Sequence, residues 1–335
     1  MNLRESYPVI AALFIAAIVI CGEVLVVTSS HNDFNSSITV GNDSIEFRIE
    51  SDDAHTYDVL SMSDTLGAPK GVYVYYDPQY FSMASDGMSS VGGRNLDEKY
   101  YIEQLEPTFM IRDINHIDFL NAKELSDLMD KDGKGNAVII LSGALPDTVY
   151  DKKEDSKVFS WLETGGRLYW IGNVIGKYVV HEGGYDTIEK GTSLFLGSEC
   201  IDSEKHQGDS EIKSNGFRDS LYLQNYETTF GVNTSLLPEG TDYLTMGYTD
   251  GTYSSTTLVS YGDGVVCVMG GEYSIYQRMD LAQIIASGVG PNTTIVENIN
   301  GSVQGTSKGT IQKGDSVFIT LGGFYPVYCK NHEVV

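Results

Sequence analysis

The chain is poor in basic residues: 22 Lys and Arg stand against 46 Asp and Glu, a formal charge of −24 over 335 residues. Nucleic acid is excluded as a partner on that ground, because phosphate recognition needs a basic footprint. Cysteine is also scarce. Of four, Cys21 falls in an apolar run, leaving Cys200, Cys267 and Cys329. An odd number allows at most one internal disulfide, with buried free thiols as the alternative, and no Cys-x-x-Cys pair points to zinc. The six histidines (His31, His55, His116, His181, His206, His332) are scattered. Asp130 to Asn136 lacks the third acidic ligand and the terminal Glu of a calcium loop and reads as a helix-ending turn. No metal and no cofactor is therefore expected, and no sequence repeat is present.

One long apolar run stands out. Apart from Glu23, Val9 to Val27 are apolar or small, close to the roughly 20 residues that a bilayer requires. No A-x-A-like cleavage site lies between Gly22 and Ser30, and no small residue precedes Cys21, so an uncleaved anchor is expected. The organisation that follows is a cytoplasmic tail (1–7), a transmembrane helix (8–29) touching membrane lipid through residues 9–28, a linker with a β-hairpin (30–70), an α/β domain (71–290) and a β-rich C-terminal module (291–335). The bulk of the chain is expected outside the plasma membrane. Asn35, Asn42, Asn233, Asn292 and Asn300 begin Asn-x-Ser/Thr sequons and are glycosylation candidates, all but Asn233 in polar turns.

From Gly71 the pattern alternates. Gly71 to Tyr76, Thr108 to Arg112, Ala137 to Leu141 and Arg167 to Gly172 read as buried strands, and Leu96 to Leu105, Ala122 to Met129 and Ser156 to Thr164 as helices. Continuous apolar strands alternating with helices imply a parallel sheet covered on both faces. Leu194 to Leu196, Leu221 to Leu223 and Asp242 to Tyr248 are further strand candidates. Thr256 to Ser260 and Val265 to Met269 flank a Gly-Asp-Gly turn as a hairpin, and Ser274 to Ser287 is a helix. The final 45 residues carry strand signals alone, from Thr294, Ser302, Ser316 and Pro326. Ser51 to Lys70 is acidic and mixed, without a clear pattern.

Three segments carry a family resemblance: Ala137 to Gly143, a strand ending in a small-residue turn; Trp161 to Gly172, a helix, Gly-Gly and strand; and Tyr261 to Gly271. Through them the chain resembles the class I glutamine amidotransferase-like superfamily, including the domain in the non-catalytic luminal subunit of oligosaccharyltransferase. The resemblance implies an α/β, flavodoxin-like doubly wound parallel sheet. It also implies a Gly-x-Cys-x-Gly elbow, whose frame here is Gly172-Asn173-Val174-Ile175-Gly176. Val174 stands where the cysteine nucleophile belongs, and valine has no nucleophilic atom. The family's His-Pro-Glu run is matched by Gly270-Gly271-Glu272, so the glutamate persists without the histidine. A degenerate, non-catalytic member is expected.

The crevice residues would then be Ser142, Gly143, Asn173, Val174, His181 and Glu272. Tyr73, Tyr75, Tyr76, Tyr100 and Tyr101 either line a sugar-stacking groove or pack in the core, core packing being the simpler reading. The expected role is binding or scaffolding beside a protein partner in a membrane complex, with glycan as a candidate ligand. The alternatives are a hydrolase of glycan or peptide using Glu272 and His181, and a cell-envelope structural glycoprotein.

Overall fold

The computed structural model describes residues 25–31, 34–83, 98–110, 114, 116–131, 133–202, 216–224, 230–249, 253–270, 275–322 and 325–331. These begin with three strands, β1 (Leu25–His31), β2 (Phe34–Val40) and β3 (Ser44–Ser63). Next come β4 (Gly71–Tyr75), α1 (Glu98–Met110), β5 (Asp118–Leu120), α2 (Ala122–Met129) and β6 (Asn136–Ile140). β7 (Leu145–Pro146), α3 (Lys157–Glu163), β8 (Arg167–Ile171), and the hairpin of β9 (Tyr178–His181) and β10 (Gly184–Thr187) follow. α4 (Gly191–Leu196), β11 (Ile201–Asp202), α5 (Phe217–Ser220) and β12 (Gly231–Asn233) are short. β13 (Tyr243–Thr249), β14 (Tyr253–Tyr261), β15 (Gly264–Met269) and α6 (Ile275–Ser287) precede the closing strands β16 (Thr294–Gln312), β17 (Ser316–Leu321) and β18 (Tyr325–Asn331).

The expectation of a flavodoxin-like, doubly wound parallel sheet is corrected: the chain is strand-rich and its sheets are mixed or antiparallel. The largest sheet has nine strands in the order β11-β12-β14-β15-β8-β6-β4-β5, with β13 beside β14. β15, β8, β6, β4 and β5 run parallel to one another. β11, β12, β13 and β14 join by antiparallel pairing. The cause is local. Gly262 adopts φ +56° in the two-residue Gly262-Asp263 loop, so β14 turns straight into β15, a connection that only antiparallel strands can use. A second sheet of six strands is wholly antiparallel, β1-β2-β3-β17-β18 with β16 along β3.

The central strands alternate their side chains between two cores. Val72, Val74, Ala137, Ile139, Tyr169, Ile171 and Cys267 face α1 and α6, while Val138, Ile140, Leu168, Trp170, Val266 and Val268 face α2, α3 and α4. Period-2 alternation with both faces buried is why these strands read as continuous apolar runs. Leu60, Met62 and Phe318 of the antiparallel sheet close the first core. Gly165 at φ +98° ends α3, and a Cβ on Gly166 would lie 2.4 Å from the Trp161 ring, so this Gly-Gly pair sets the turn into β8.

The membrane anchor is also corrected. No helix among the described residues is long and apolar enough to cross a membrane. Residues 25–29, expected as the end of the transmembrane helix, belong to β1 and pair antiparallel with β2. Leu25, Val26 and Val27 suit a strand as well as a bilayer, so hydropathy alone did not discriminate. Single-pass anchoring, lipid contact through 9–28 and the plasma-membrane placement go with that helix; residues 1–24 lie outside the described residues. Smaller corrections follow the same logic. Thr108 to Met110 end α1 rather than forming a strand, because Leu105 and Phe109 continue its buried stripe and Thr108 Oγ1 donates to Gln104 O; residues 111–113 lie outside the described ones. Leu194 to Leu196 are helical, and Leu221 to Leu223 form the turn after α5.

Candidate functional site

After β4 the chain passes to β5 on one side, then returns across β4 to β6 on the other. The loops leaving the carboxyl ends of β4 and β6 therefore diverge and leave a crevice, the position where open sheets of this kind receive ligands. A cavity of 280 Å³ lies there, lined by Tyr75, Tyr76, Asp77, Pro78, Tyr80, Phe81, Ser82 and Ser142.

Four of the residues expected in the crevice lie close together, Ser142 alone among them lining the cavity. Ser142 is buried; its Oγ donates to Ala144 O at 2.8 Å and its carbonyl accepts from Met83 N at 2.8 Å. Its hydroxyl is thus spent on the turn. Gly143 adopts φ +63°, and a Cβ there would stand 2.7 Å from both N and Cβ of Asn173. Asn173 Oδ1 accepts from Val174 N at 2.7 Å and its Nδ2 donates to Met83 O at 3.4 Å. Asn173 O accepts from the Trp170 indole at 2.6 Å. Val174 is half-buried against the second core. His181 ends β9, its Nδ1 3.3 Å from Glu182 O. Glu272 lies outside the described residues.

The walls escaped the sequence reading. The loop from Asp77 reads as Gly- and Ser-rich, yet Tyr80 and Phe81 follow β4 directly, and aromatic residues just beyond a buried strand were the available signal. Asp77 shapes this loop: its carboxylate accepts from Gln79 N at 2.9 Å and from Ala122 N, at the start of α2, at 3.0 Å. Tyr80 forms a β-bridge with Glu182, and its hydroxyl donates to Asp147 Oδ1 at 3.5 Å. Burial, then the nearby carboxylates of Asp147, Asp77 and Glu182, push the Tyr80 hydroxyl above the usual tyrosine range. Phe81 and Tyr185 are both about half exposed and meet edge to face, with centroids 6.1 Å apart. Tyr185 makes a like contact with Tyr178 at 5.8 Å, and Lys177 Nζ sits 5.0 Å above the Tyr178 ring. Of the tyrosines weighed for a groove, Tyr75 and Tyr101 are buried, Tyr73 is half-buried, Tyr75 and Tyr76 line the cavity, and the Tyr100 side chain lies outside the described residues.

A second cavity of 530 Å³ lies beyond Asp147, lined by Asp130, Asp147, Asp151, Asp155, Lys157 and neighbours on α2 and α3. Among the described residues no three His, Cys, Asp or Glu groups are placed to hold a metal ion. Cys200 and Cys267 are buried free thiols, and burial pushes both above the ordinary thiol range. Of the glycosylation candidates, Asn42 is exposed at the β2–β3 turn and Asn292 is exposed near Asp242. Asn35 and Asn300 are also exposed but lie within strands rather than turns, and the Asn300 amide donates to Asp58. Asn233 Oδ1 accepts from Ser235 N at 3.1 Å, a local cap.

Comparison with protein-family models and with curated proteins gives no match. Among solved structures, the chain has a distant likeness to a cold-adapted β-galactosidase from Rahnella sp. R3 (16% identity, TM-score 0.37, 64% of this chain and 30% of that one). It has a similar likeness to the exo-β-1,4-mannosidase Op5Man5 from Opitutaceae bacterium strain TAV5 (14%, 0.36, 67% and 36%). A cytoplasmic protein of Salmonella typhimurium LT2, STM1381, gives 10% identity and a TM-score of 0.32 over 64% of this chain and 94% of that one. The chain spans about a third of the length of the two glycosidases. At these scores the likenesses assign neither activity nor site.

Proposed function

We propose that the crevice at the ends of β4 and β6 binds a glycan. The observation that carries this reading is the cavity itself, walled by Tyr76, Tyr80 and Phe81 and extended outward by Tyr185 and Tyr178. Exposed aromatic rings beside polar groups offer flat apolar faces for the C–H face of a sugar, with hydrogen-bonding groups at its edge. A binding role in which the amidotransferase-like elbow has lost its chemistry is supported by Val174, which has no nucleophilic atom, and by Ser142, whose hydroxyl is committed to Ala144. The test is calorimetric titration with a panel of soluble oligosaccharides. Phe81→Ala and Tyr80→Ala should each weaken binding by about two- to tenfold, since one stacked ring contributes roughly 0.5–1.5 kcal/mol beyond its burial. A folded protein that takes up no member of the panel would end this reading.

One observation favours glycan hydrolysis as a second reading. Three carboxylates, those of Asp147, Asp77 and Glu182, act on the Tyr80 hydroxyl at the mouth of the cavity. Glycoside hydrolysis needs two carboxyl groups flanking the scissile bond. Both Asp77 oxygens are engaged by backbone N–H groups, which leaves Asp147 and Glu182 as the pair. Reducing-end release from a bound glycan, abolished in Glu182→Gln, would move the assignment from binding to hydrolysis.

A further inference from the structure

We propose that the ligand of this crevice is an amine-bearing oligosaccharide that runs from the aromatic cavity past Asp147 into the second cavity. This deepens the glycan reading and rests on it. Two observations set the length. The first cavity, at 280 Å³, falls just short of the roughly 300–1,000 Å³ that ligand sites span, and the second adds 530 Å³. Asp147 lines the second cavity while its carboxylate accepts from Tyr80, a wall of the first, so the two spaces adjoin across one side chain. A single sugar would fill only one of them.

The chemistry of the walls sets the charge. Aromatic faces attract cations as well as sugar rings, because the ring quadrupole is negative above and below its plane. Lys177 already occupies such a position on Tyr178, at the outer end of the ring series. Along the path the carboxylates outnumber the cations. Lys157 is paired with Asp130 at 2.7 Å and Lys153 with Asp151 at 3.1 Å. Lys152 is paired with Asp186 at 2.5 Å. Asp147, Asp155 and Glu182 make no ion pair among the described residues. A neutral glycan would leave unmatched the carboxylates of Asp147 and Asp155 in the second cavity and of Glu182 beside Tyr80. Protonated sugar amines would meet them with charge-assisted hydrogen bonds while their rings stack on Tyr76 and Phe81. The overall charge of −24 favours the encounter with a cationic ligand in the same direction.

The experiment titrates the full chain with four probes of matched length: a glucosamine hexamer, its N-acetylated counterpart, cellohexaose and hexalysine. The titrations run at about pH 5.5, below the ordinary range of a free amine. The glucosamine hexamer should bind at least about tenfold tighter than either uncharged glycan and tighter than hexalysine. Asp147→Asn with Asp155→Asn should erase its advantage over cellohexaose, while Phe81→Ala should weaken all three glycans. Equal binding of charged and uncharged glycans would overturn the amine assignment and leave the crevice reading standing. Hexalysine binding as tightly as the glucosamine hexamer would overturn it in favour of a basic peptide. If no glycan binds, both readings fall together. Far-UV circular dichroism and unfolding midpoints of each variant separate lost binding from lost fold.

Discussion

Tyr222 donates its hydroxyl to the buried carboxylate of Asp58, joining the turn after α5 to the middle of β3. Asn300 of β16 donates to the other Asp58 oxygen. The tie is costly to arrange, since Tyr222 is a non-glycine residue at φ +50°, a left-handed conformation that branched and bulky side chains disfavour. Asp58 therefore anchors the antiparallel sheet to the α5 segment, which packs on the first core through Phe217 and Leu221.

That anchor predicts a pH dependence. Burial, opposed by the Tyr222 hydrogen bond, holds the Asp58 carboxyl above its ordinary value of 3.8. The folded state thus binds the proton more tightly than the unfolded chain, so stability falls as pH rises from about 4 through the folded value. In Asp58→Asn this slope should disappear from urea unfolding measured between about pH 3.5 and 7. A slope unchanged in the variant would show that other groups carry the linkage. Tyr222→Phe should cost roughly 1.5–3 kcal/mol at neutral pH, as expected for losing a hydrogen bond to a charged partner.

Arg167 makes a second long-range tie. At 6% exposure on β8 it donates Nη1 to Gly67 O at 2.6 Å and Nη2 to Leu66 O, fastening the segment between β3 and β4. Burial pulls its guanidinium below the usual arginine range. Lysine cannot reproduce the fork. Arg167→Lys should destabilise by about 1.5–3 kcal/mol and Arg167→Met by at least as much, because two half-buried carbonyls lose a charged donor. Denaturant midpoints at constant m-value test this.

Asn121 offers a local test. Its side chain accepts from Glu124 N while the Glu124 carboxylate accepts from Asn121 N, a complete capping box at the start of α2. Asn121→Ala should cost about 1 kcal/mol, readable as a small fall in the thermal midpoint. Glycan binding should be unaffected, since Asn121 lines neither cavity.

The difference between what was legible and what was not follows the range of the interactions. β6, β8 and β15 are short apolar runs with glycines at their ends, and α2 carries its own cap, so local pattern sufficed. β3 and β16 announced themselves only in part: strand signals begin at Thr294 and Ser302 and a hairpin is expected within 30–70, but not two long strands paired with each other. The second half of β3 buries Asp58 and Ser61, and β16 is rich in Asn, Gly, Ser and Thr with few apolar residues. Their pairing spans Thr294↔Ser63 to Gln312↔Ser44, and a strand held by a partner so distant in sequence leaves little local trace. At the site, Ser142, Gly143, Asn173 and Val174 were legible because strand ends at glycines mark crevices. The aromatic wall was not, because Tyr80 and Phe81 gain their position from a bridge to Glu182 that no periodicity encodes.

The closest approach beside the crevice gives the most discriminating substitution. Gly143 lies at φ +63° with its α-carbon turned toward Asn173, and an added methyl would sit 2.7 Å from the backbone nitrogen of that residue. Two effects add: a non-glycine residue in the left-handed region costs of order 1 kcal/mol, and the contact must also open by several tenths of an ångström. The relief available is outward movement of the Gly172–Gly176 turn. That movement would stretch the Asn173 link to Met83 O, which holds the aromatic loop over Ser142. Gly143→Ala should therefore lower stability by roughly 1–3 kcal/mol. It should also weaken glycan binding more than the stability loss accounts for, although Gly143 itself is not among the cavity's lining residues. Calorimetric titration well below the unfolding temperature separates the two effects. Full affinity in a destabilised Gly143→Ala protein would mean that the aromatic wall is positioned by its bridge to Glu182 alone.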